Sequence, residues 1–499
     1  MRRFIANPLS LRVQLLPRVV LANTRRPYCV ACEPTPPQAP QAPPAPAPPS
    51  AKKSTPPSPS TATDLDHQSI AVAQGLYTIS PLTPGSVFFL PHGTRIFNKL
   101  LAFMRKQYSL YGYEEVISPI IYKKTLWEQS GHWENYAEDM FSVTGRGAEG
   151  EAAKAKQEGR YLEDEEYGLK PMNCPGHCLI YASDDRSYRD LPIRYADFSP
   201  LHRNEASGAL QGLTRVRRFH QDDAHIFCTP AQITSEIADT LRFVHAVFTV
   251  FQLPSYELFL STRPEKYIGE LAEWEQAEGA LKEALNTTGR EWAVKEGDGA
   301  FYGPKIDIVL KDAAGRRHQT ATIQLDFQLP HRFNLKYRDA GGEIQAPVIV
   351  HRAILGSVER TMAILMEHTA GKWPFWLSPR QATVVPATTA PEVIAYAEAV
   401  QRRLSGVTNT LTTATEPPIP ILEMATRTFF VDVDASEGKT LGKRVREAQK
   451  RRVNFTLVVG QKEMENGSVA VRSRDGKQLG EKTVEEVYQM FLELEKTYQ

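Results

Sequence analysis

The chain has 499 residues, 41% of them apolar, and sets 59 Lys and Arg against 58 Asp and Glu for a formal charge of +1. That length predicts two or three domains with sizeable cores and excludes disorder of the whole chain. No run of 18 or more uncharged apolar residues occurs, so a membrane-spanning helix is not expected.

The near-zero charge is unevenly placed. Residues 1–60 hold eight basic side chains and one acid, Glu33, which leaves 51 basic against 57 acidic side chains and a balance of −6 beyond them. Over 1–32, six arginines and no acid interleave with apolar residues such as Phe4, Leu9, Leu15 and Val19. This is the composition of a mitochondrial transit peptide, an amphipathic basic segment that addresses a protein to the matrix. A secretory signal is the rival, but Arg12 and Arg18 cut the apolar stretch it requires; a basic tail with no address is the other alternative. Twelve of the 36 prolines fall between Pro34 and Pro59, so 33–60 reads as an extended linker, with folded chain from Thr61.

Five cysteines, at 29, 32, 174, 178 and 228, make no disulfide framework and fit a reducing compartment. Cys29 and Cys32 form a CxxC without a second pair at zinc-finger spacing and are discounted.

In the body, Ile96, Leu100, Phe103, Met104 and Tyr108 recur at three and four residues, which predicts an amphipathic helix over 93–112. Residues 115–119 read as a strand broken at Pro119. Residues 142–169, rich in Gly, Ala, Glu and Lys, read as an exposed insertion. Alternating runs over 191–228 and 301–327 predict a mostly antiparallel sheet, with helices over 233–250 and 264–285 between them. Past Trp376 strands (381–386, 429–433, 455–459) alternate with helical patterns (391–404, 441–452, 484–496), the order of a small α/β domain.

Two segments carry charge that points to an anionic ligand. Arg203-Asn204-Glu205 precedes a glycine-rich turn from which the chain returns through Arg215-Val216-Arg217-Arg218. Guanidinium groups suit phosphate because their rigid fork binds oxygens bidentately and stays charged. Gly356-Ser357-Val358-Glu359-Arg360 opens an apolar helical run with a further arginine. Singly, each is also what a solvated or ion-paired arginine looks like.

Together with Lys170-Pro171-Met172-Asn173-Cys174-Pro175-Gly176-His177, Gln221-Asp222-Asp223-Ala224-His225, Tyr302-Gly303-Pro304-Lys305 and His351-Arg352-Ala353-Ile354-Leu355-Gly356-Ser357, these words resemble the threonyl-tRNA synthetases, a family of class IIa aminoacyl-tRNA synthetases. The three class signatures fall in order around 112–119, 198–227 and 351–360, and the likeness runs from about Leu65 to Tyr498. The resemblance implies an α+β fold: a catalytic domain over 61–376 built on the class II antiparallel sheet with flanking helices, then an α/β anticodon-binding domain over 377–499. It implies activation of threonine by ATP with Mg²⁺ and transfer to the 3′ end of tRNA(Thr) in mitochondrial translation.

By the same resemblance Arg203, Glu205, Arg215, Gln319, Thr322, Gln324 and Arg360 bind ATP, and Met172, Gln221, Asp223, Tyr302, Lys305 and Ser357 bind threonine. Arg203, Arg360, Lys305 and His132 carry the chemistry, His132 by deprotonating the terminal ribose. Cys174, His225 and His351 hold one Zn²⁺ per subunit; their spacing alone would never name a site, because a lone buried cysteine or core histidine is the ordinary occupant of such positions. Zinc with an open position can bind a hydroxyl and so reject valine by about 10⁴ or more, whereas serine differs by one methyl, worth about 1–3 kcal/mol. With only leader and linker before the body, no N-terminal editing domain is expected, and some seryl-tRNA is. Arg446, Glu463 and Arg472 match residues near the anticodon, beside a basic run from Lys439 to Arg452 that a solvated helix face would equally explain. A homodimer is implied, with Pro119 at its interface. The rivals are a prolyl or seryl enzyme, which the zinc trio opposes, and an inactive tRNA-binding relative, which the intact arginines oppose.

Overall fold

Eight strands form the large sheet of the computed structural model: β1 Glu114–Glu115, β2 Ile193–Asp197, β3 Asp223–Cys228, β4 Tyr256–Ser261, β5 Trp292–Lys295, β6 Lys305–Lys311, β7 Arg317–Asp326 and β8 Val348–Ala353. Their spatial order is β5-β4-β6-β7-β8-β3-β2-β1, antiparallel except at the two outer pairs. The structure describes residues 66–144, 166–253, 255–311, 316–406 and 429–499. All belong to one compact unit, Thr61–Gln499. The leader, the linker and the Cys29–Cys32 pair lie outside the described residues.

Because side chains alternate across a strand, each sequence alternation divides its strand between two faces. Ala224, Ile226, Ile306, Ile308, Ile323, Leu325, Val348 and Val350 share one face and belong to the main hydrophobic core. Three helices supply its other side: α2 Pro91–Leu110, α4 Ile233–Val250 and α6 Val358–His368, the last with nearly every residue buried. The opposite face carries polar residues in register. Lys305 stands across from Gln324, Gln324 from His351, and His351 from His225. One step along, Asp307, Thr322, Ala353, Asp223 and Asp197 form the next row.

Two expectations shift. The helix predicted from 264 begins at Leu271 (α5, Leu271–Thr287), where Glu270 and Glu273 form a capping box that satisfies the first-turn amides. The expected exposed insertion is not wholly exposed. Its ends, Ser142–Val143 and Tyr167–Leu169, join Ile121–Lys123 in a three-stranded sheet, and Gly168 is buried beneath Trp127 and Met140. Residues 145–165 lie outside the described residues.

The C-terminal part has its own five-stranded sheet: β9 Ala382–Pro386, β10 Val431–Val433, β11 Phe455–Val459, β12 Ser468–Ser473 and β13 Gln478–Thr483, in the order β10-β9-β11-β12-β13. The first two pairings are parallel and the last two antiparallel. Helices α7 Pro391–Ser405, α8 Leu441–Lys450 and α9 Val484–Lys496 accompany it. Its apolar cluster of Val384, Leu457, Val471 and Phe491 is separate from the main core. The two parts meet at a seam of polar contacts and aromatic rings, with Tyr498 packed on Phe103, 5.2 Å between centroids, and Arg95 and Lys99 over the Phe430 ring. Lys99 of α2 pairs with Glu495 at 2.9 Å, Arg95 donates to the Pro379 carbonyl at 2.9 Å, and Arg380 donates to the Gln74 carbonyl at 3.0 Å. Among the described residues no helix is long and apolar enough to cross a membrane.

Candidate active site

The polar sheet face opens into a cavity. Its walls include Arg203, Glu205, Arg215, Gln319, Ser357 and Arg360 at one end and Met172, Cys174, Gln221, Asp223, His225, Tyr302, Gln324 and His351 at the other, with Thr322 also on the wall. Residues scattered over more than 180 positions meet because register brings strands distant in sequence side by side.

At the first end three guanidinium groups converge. Arg203 lies over the Phe219 ring, 5.1 Å from its centroid, and Arg215 pairs with Glu205 at 2.8 Å. Arg360 donates to the carbonyls of Thr214 and Gln319 at 3.1 and 3.2 Å. Burial lowers the Arg360 pKa, and the positive charges of Arg203 and Arg215 lower it further against the pull of Glu205. Cations held this close without full compensation favour an anionic ligand. Arg360 sits in the first turn of α6, whose N-cap Ser357 accepts from the Arg360 amide at 3.1 Å, so the positive helix end faces the same cavity. Gly356 must be glycine: its φ is +71°, and a Cβ would stand 2.3 Å from the Thr320 carbonyl oxygen.

At the other end Cys174, His225 and His351, all buried, bring one ligand atom each within 4.8 Å of one another. Cys174 opens helix α3, Cys174–Tyr181; the two histidines are direct cross-strand partners on β3 and β8. Each imidazole has its second nitrogen engaged. His351 Nε2 donates to Asp326 Oδ2 at 2.9 Å, and His225 Nδ1 lies 2.8 Å from His177 Nδ1. Partners of this kind fix tautomer and ring direction for a metal ligand. Burial, with His351 and His177 nearby, holds His225 well below the usual imidazole range, so it is neutral and able to coordinate. Burial and the charges of Asp223, Cys178 and Asp326 push the Cys174 thiol well up. A thiol in that setting becomes a thiolate only beside a cation, and the soft-plus-imidazole donor set suits zinc. Asp223 is held by the Asn173 amide at 3.1 Å and raised by burial, at the edge of the cluster.

Two expected residues lie off the cavity wall. Lys305 is paired with the buried Asp307 at 2.8 Å, its ammonium turned along the sheet. His132 is 1% exposed, with Nδ1 2.8 Å from Ser130 Oγ and Nε2 3.3 Å from Met172 Sδ and 3.8 Å from Cys174 Sγ. Burial, with His351, Arg332 and Arg203 nearby, lowers its pKa to about 4, which makes it a weak proton acceptor in this arrangement. Sequence reasoning missed Asp326, His177, Asp307 and Asn173, the groups that orient the expected ones. The signal for Asp326 was its period-two place with Thr322 and Gln324. Nothing in the sequence pointed to His177 except its place in the Cys174 segment.

On the C-terminal part Arg446 is exposed on α8, Glu463 accepts from the Gly460 amide at 2.9 Å as a helix cap, and Arg472 is half-buried on β12. The basic run is not all on one face. Arg444 is buried, donating to the Asp434 carbonyl at 3.1 Å, and Lys439 pairs with Glu447 at 2.6 Å. Lys443, Arg446 and Lys450 form the exposed stripe at helical spacing.

Comparison with known proteins fits a sheet and cavity of this kind. Residues 157–369 match the class II tRNA synthetase core domain family (G, H, P, S and T), and 381–494 match the anticodon binding domain family. The chain is 50% identical over 447 residues to a probable mitochondrial threonine–tRNA ligase of Schizosaccharomyces pombe, covering 87% of this chain and 90% of that one. It is 45% identical to the mitochondrial threonine–tRNA ligase of Saccharomyces cerevisiae, covering 90% and 94%. A crystal structure described as the RNA binding domain of threonyl-tRNA synthetase from Cryptosporidium parvum superposes with a TM-score of 0.75 at 45% identity, covering 86% of this chain and 98% of that chain. The chain belongs to the threonine–tRNA ligase family of class II aminoacyl-tRNA synthetases.

Proposed function

We propose that this ligase, working in mitochondria, activates threonine with ATP and Mg²⁺ and then esterifies tRNA(Thr), with both steps centred on the cavity of the large sheet. The observation that carries the reading is the convergence of Arg203, Arg215 and Arg360 beside Cys174, His225 and His351 in one cavity.

Threonine's carboxylate must approach an α-phosphate of like charge. Arg203 takes that phosphate; Arg215 and Arg360 hold the outgoing pyrophosphate oxygens, and the N-terminus of α6 adds its partial positive charge. Glu205 restrains Arg215 and meets the adenine side, while Gln319, Thr322 and Gln324 line the nucleotide. Cys174, His225 and His351 would hold zinc, which when bound would supply a Lewis acid facing the amino-acid pocket. Asp223 accepts from the threonine hydroxyl. Gln221, Tyr302, Met172 and Ser357 shape the rest of the amino-acid pocket, and Lys305 acts from behind through Asp307. His132 accepts the ribose proton in transfer, which requires its surroundings to loosen when tRNA binds; an alanine variant slowed equally in activation and transfer would remove that assignment.

Residues 1–32 are the address and 33–60 the linker; 61–376 and 377–499 are the catalytic and anticodon domains. Lys443, Arg446 and Lys450 meet tRNA phosphates, with Glu463 and Arg472 near the anticodon. A homodimer is favoured by Ile117, 86% exposed, beside Ser118, Pro119 and the half-covered Ile120 and Ile121. Ile117→Asp is expected to shift sedimentation from dimer to monomer.

The test of the main reading is threonine-dependent pyrophosphate exchange together with the metal content of the purified chain. One zinc per chain is expected, with exchange lost on chelation, absent with valine and present with serine. Full exchange by metal-free protein would remove the zinc assignment, and no exchange with threonine would remove the enzymatic one.

A further inference from the structure

The first turn of α1, His67–Gln74, reaches into the loop that carries Arg215. His67 is 3% exposed, and both its ring nitrogens are committed. Nδ1 lies 2.7 Å from Glu367 Oε1, and the Leu213 amide donates to Nε2 at 3.2 Å. The same carboxylate oxygen accepts the His67 backbone amide at 3.1 Å, and the other oxygen of Glu367 meets the Arg316 guanidinium. Only one tautomer satisfies this set: the proton sits on Nδ1, donated to Glu367, and Nε2 keeps its lone pair for Leu213.

Glu367 and Arg360 stand seven residues apart on α6, two turns along one face. Arg360 donates to the Thr214 carbonyl at 3.1 Å, next to the Leu213 amide held through His67. Two adjacent residues of the loop are therefore fastened to two points of one rigid helix. On either side of them the loop closes on itself, with Gln211 and Arg215 exchanging backbone hydrogen bonds at 3.1 and 3.2 Å. The approach is close enough to fix the neighbouring residue. Gly212 has φ +48°, and a Cβ there would stand 2.1 Å from His67 Nε2 and 3.0 Å from Gln68 Nε2.

We infer that His67 is a positioning residue for the nucleotide: by latching Leu213 to Glu367 of α6 it holds the 211–215 turn so that Arg215 and Arg360 face one ligand. The inference rests on reading those arginines as ATP-binding. Leu213 is fully buried in the main core and Val216 packs with Leu201 and Phe219, so packing already anchors the loop; the latch adds the directional restraint that apolar contacts lack, and ordering the half-exposed Arg215 beforehand removes that cost from binding. Most of the proposed threonine pocket surrounds Cys174, His225 and His351 rather than the 211–215 turn, so the effect is expected to fall chiefly on ATP.

The experiment is steady-state pyrophosphate exchange by the full chain, with ATP and threonine varied separately, together with thermal melting. His67→Ala is expected to raise KM for ATP about tenfold and leave KM for threonine within about twofold. His67→Gln, whose amide oxygen can accept from Leu213, is expected to recover most of the loss; His67→Asn, which keeps only the donor toward Glu367, is not. Gly212→Ala attacks the latch from the loop side and is expected to reproduce the ATP effect should His67→Ala not fold. Unchanged KM for ATP in these variants, equal rescue by Asn and Gln, or equal rises for both substrates tracking a lowered Tm would overturn the inference. Arg360→Ala separates the two levels. If it exchanges like wild type, the nucleotide reading itself fails; if it is dead while His67→Ala keeps its ATP dependence, only the latch fails.

Discussion

The large sheet and the C-terminal sheet use charge in opposite ways. On the large sheet, charged and polar groups are drawn together on one buried face, each held by a second group: His351 by Asp326, His225 by His177 and Lys305 by Asp307, while Glu205 holds Arg215 on the loop beside it. On α8 of the C-terminal part Lys443, Arg446 and Lys450 lie outward with no such partner among the described residues, while Arg444 turns inward to the Asp434 carbonyl. The first arrangement fits chemistry on a small anion and a small amino acid, where placement within fractions of an ångström matters. The second fits a long polyanion, where number and spread of charges set affinity and geometry is forgiving. A chain whose formal charge is only +1 serves both because the charges are sorted by place.

The largest effect should come from the buried end of that contrast. Arg360→Ala removes one of three converging guanidiniums and is expected to cut threonine-dependent exchange by about 10²-fold or more, as loss of one transition-state donor does elsewhere. Asp326→Asn leaves every proposed ligand in place and alters only the partner of His351. Zinc affinity, measured by chelator competition, is expected to fall about 10- to 100-fold, and an unchanged affinity would remove Asp326 from the metal's support. On the outward face, replacing Lys443, Arg446 and Lys450 together by alanine should lower the slope of log Kd for tRNA against log salt by about 2 to 3. A slope equal to wild type would return α8 to the status of a solvated helix.

The smallest effect belongs to the seam. Burial and the charges of Arg380 and Arg95 lower the His92 pKa to about 4. A histidine whose folded pKa is depressed contributes stability that is fully present above about pH 6.5 and is lost as pH falls toward 4, because the unfolded chain binds the proton more readily. His92→Asn is expected to flatten the fall of Tm between pH 6.5 and 5; parallel curves for the two proteins would show that the seam does not depend on it.

Much of the fold was legible because periodicity is a local property. Ile96, Leu100, Phe103 and Met104 announced α2 within a few residues, and α9 ends where the pattern does, at Lys496. Strands β12 and β13 were not read, since Ser468–Ser473 and Gln478–Thr483 are short, polar at one end and broken by Gly480. The site was legible only through resemblance. His225 and His351 touch because β3 pairs with β8, and register is set by the packing of both faces, which no spacing along the chain records. Resemblance could name Lys305 and His132 but not their surroundings: Asp307 holds one, and Ser130 with Met172 encloses the other. Latches such as His67 escape sequence reading for the same reason, since their partners lie 146 and 300 residues away.

The division of labour between the two regions is tested most directly by pyrophosphate exchange without tRNA, run side by side on Arg203→Ala and on the Lys443/Arg446/Lys450 triple alanine variant. The account predicts that the first loses exchange and the second keeps it while charging tRNA poorly at physiological salt. Normal exchange by Arg203→Ala, or its loss in the triple variant with an unchanged Tm, would contradict it.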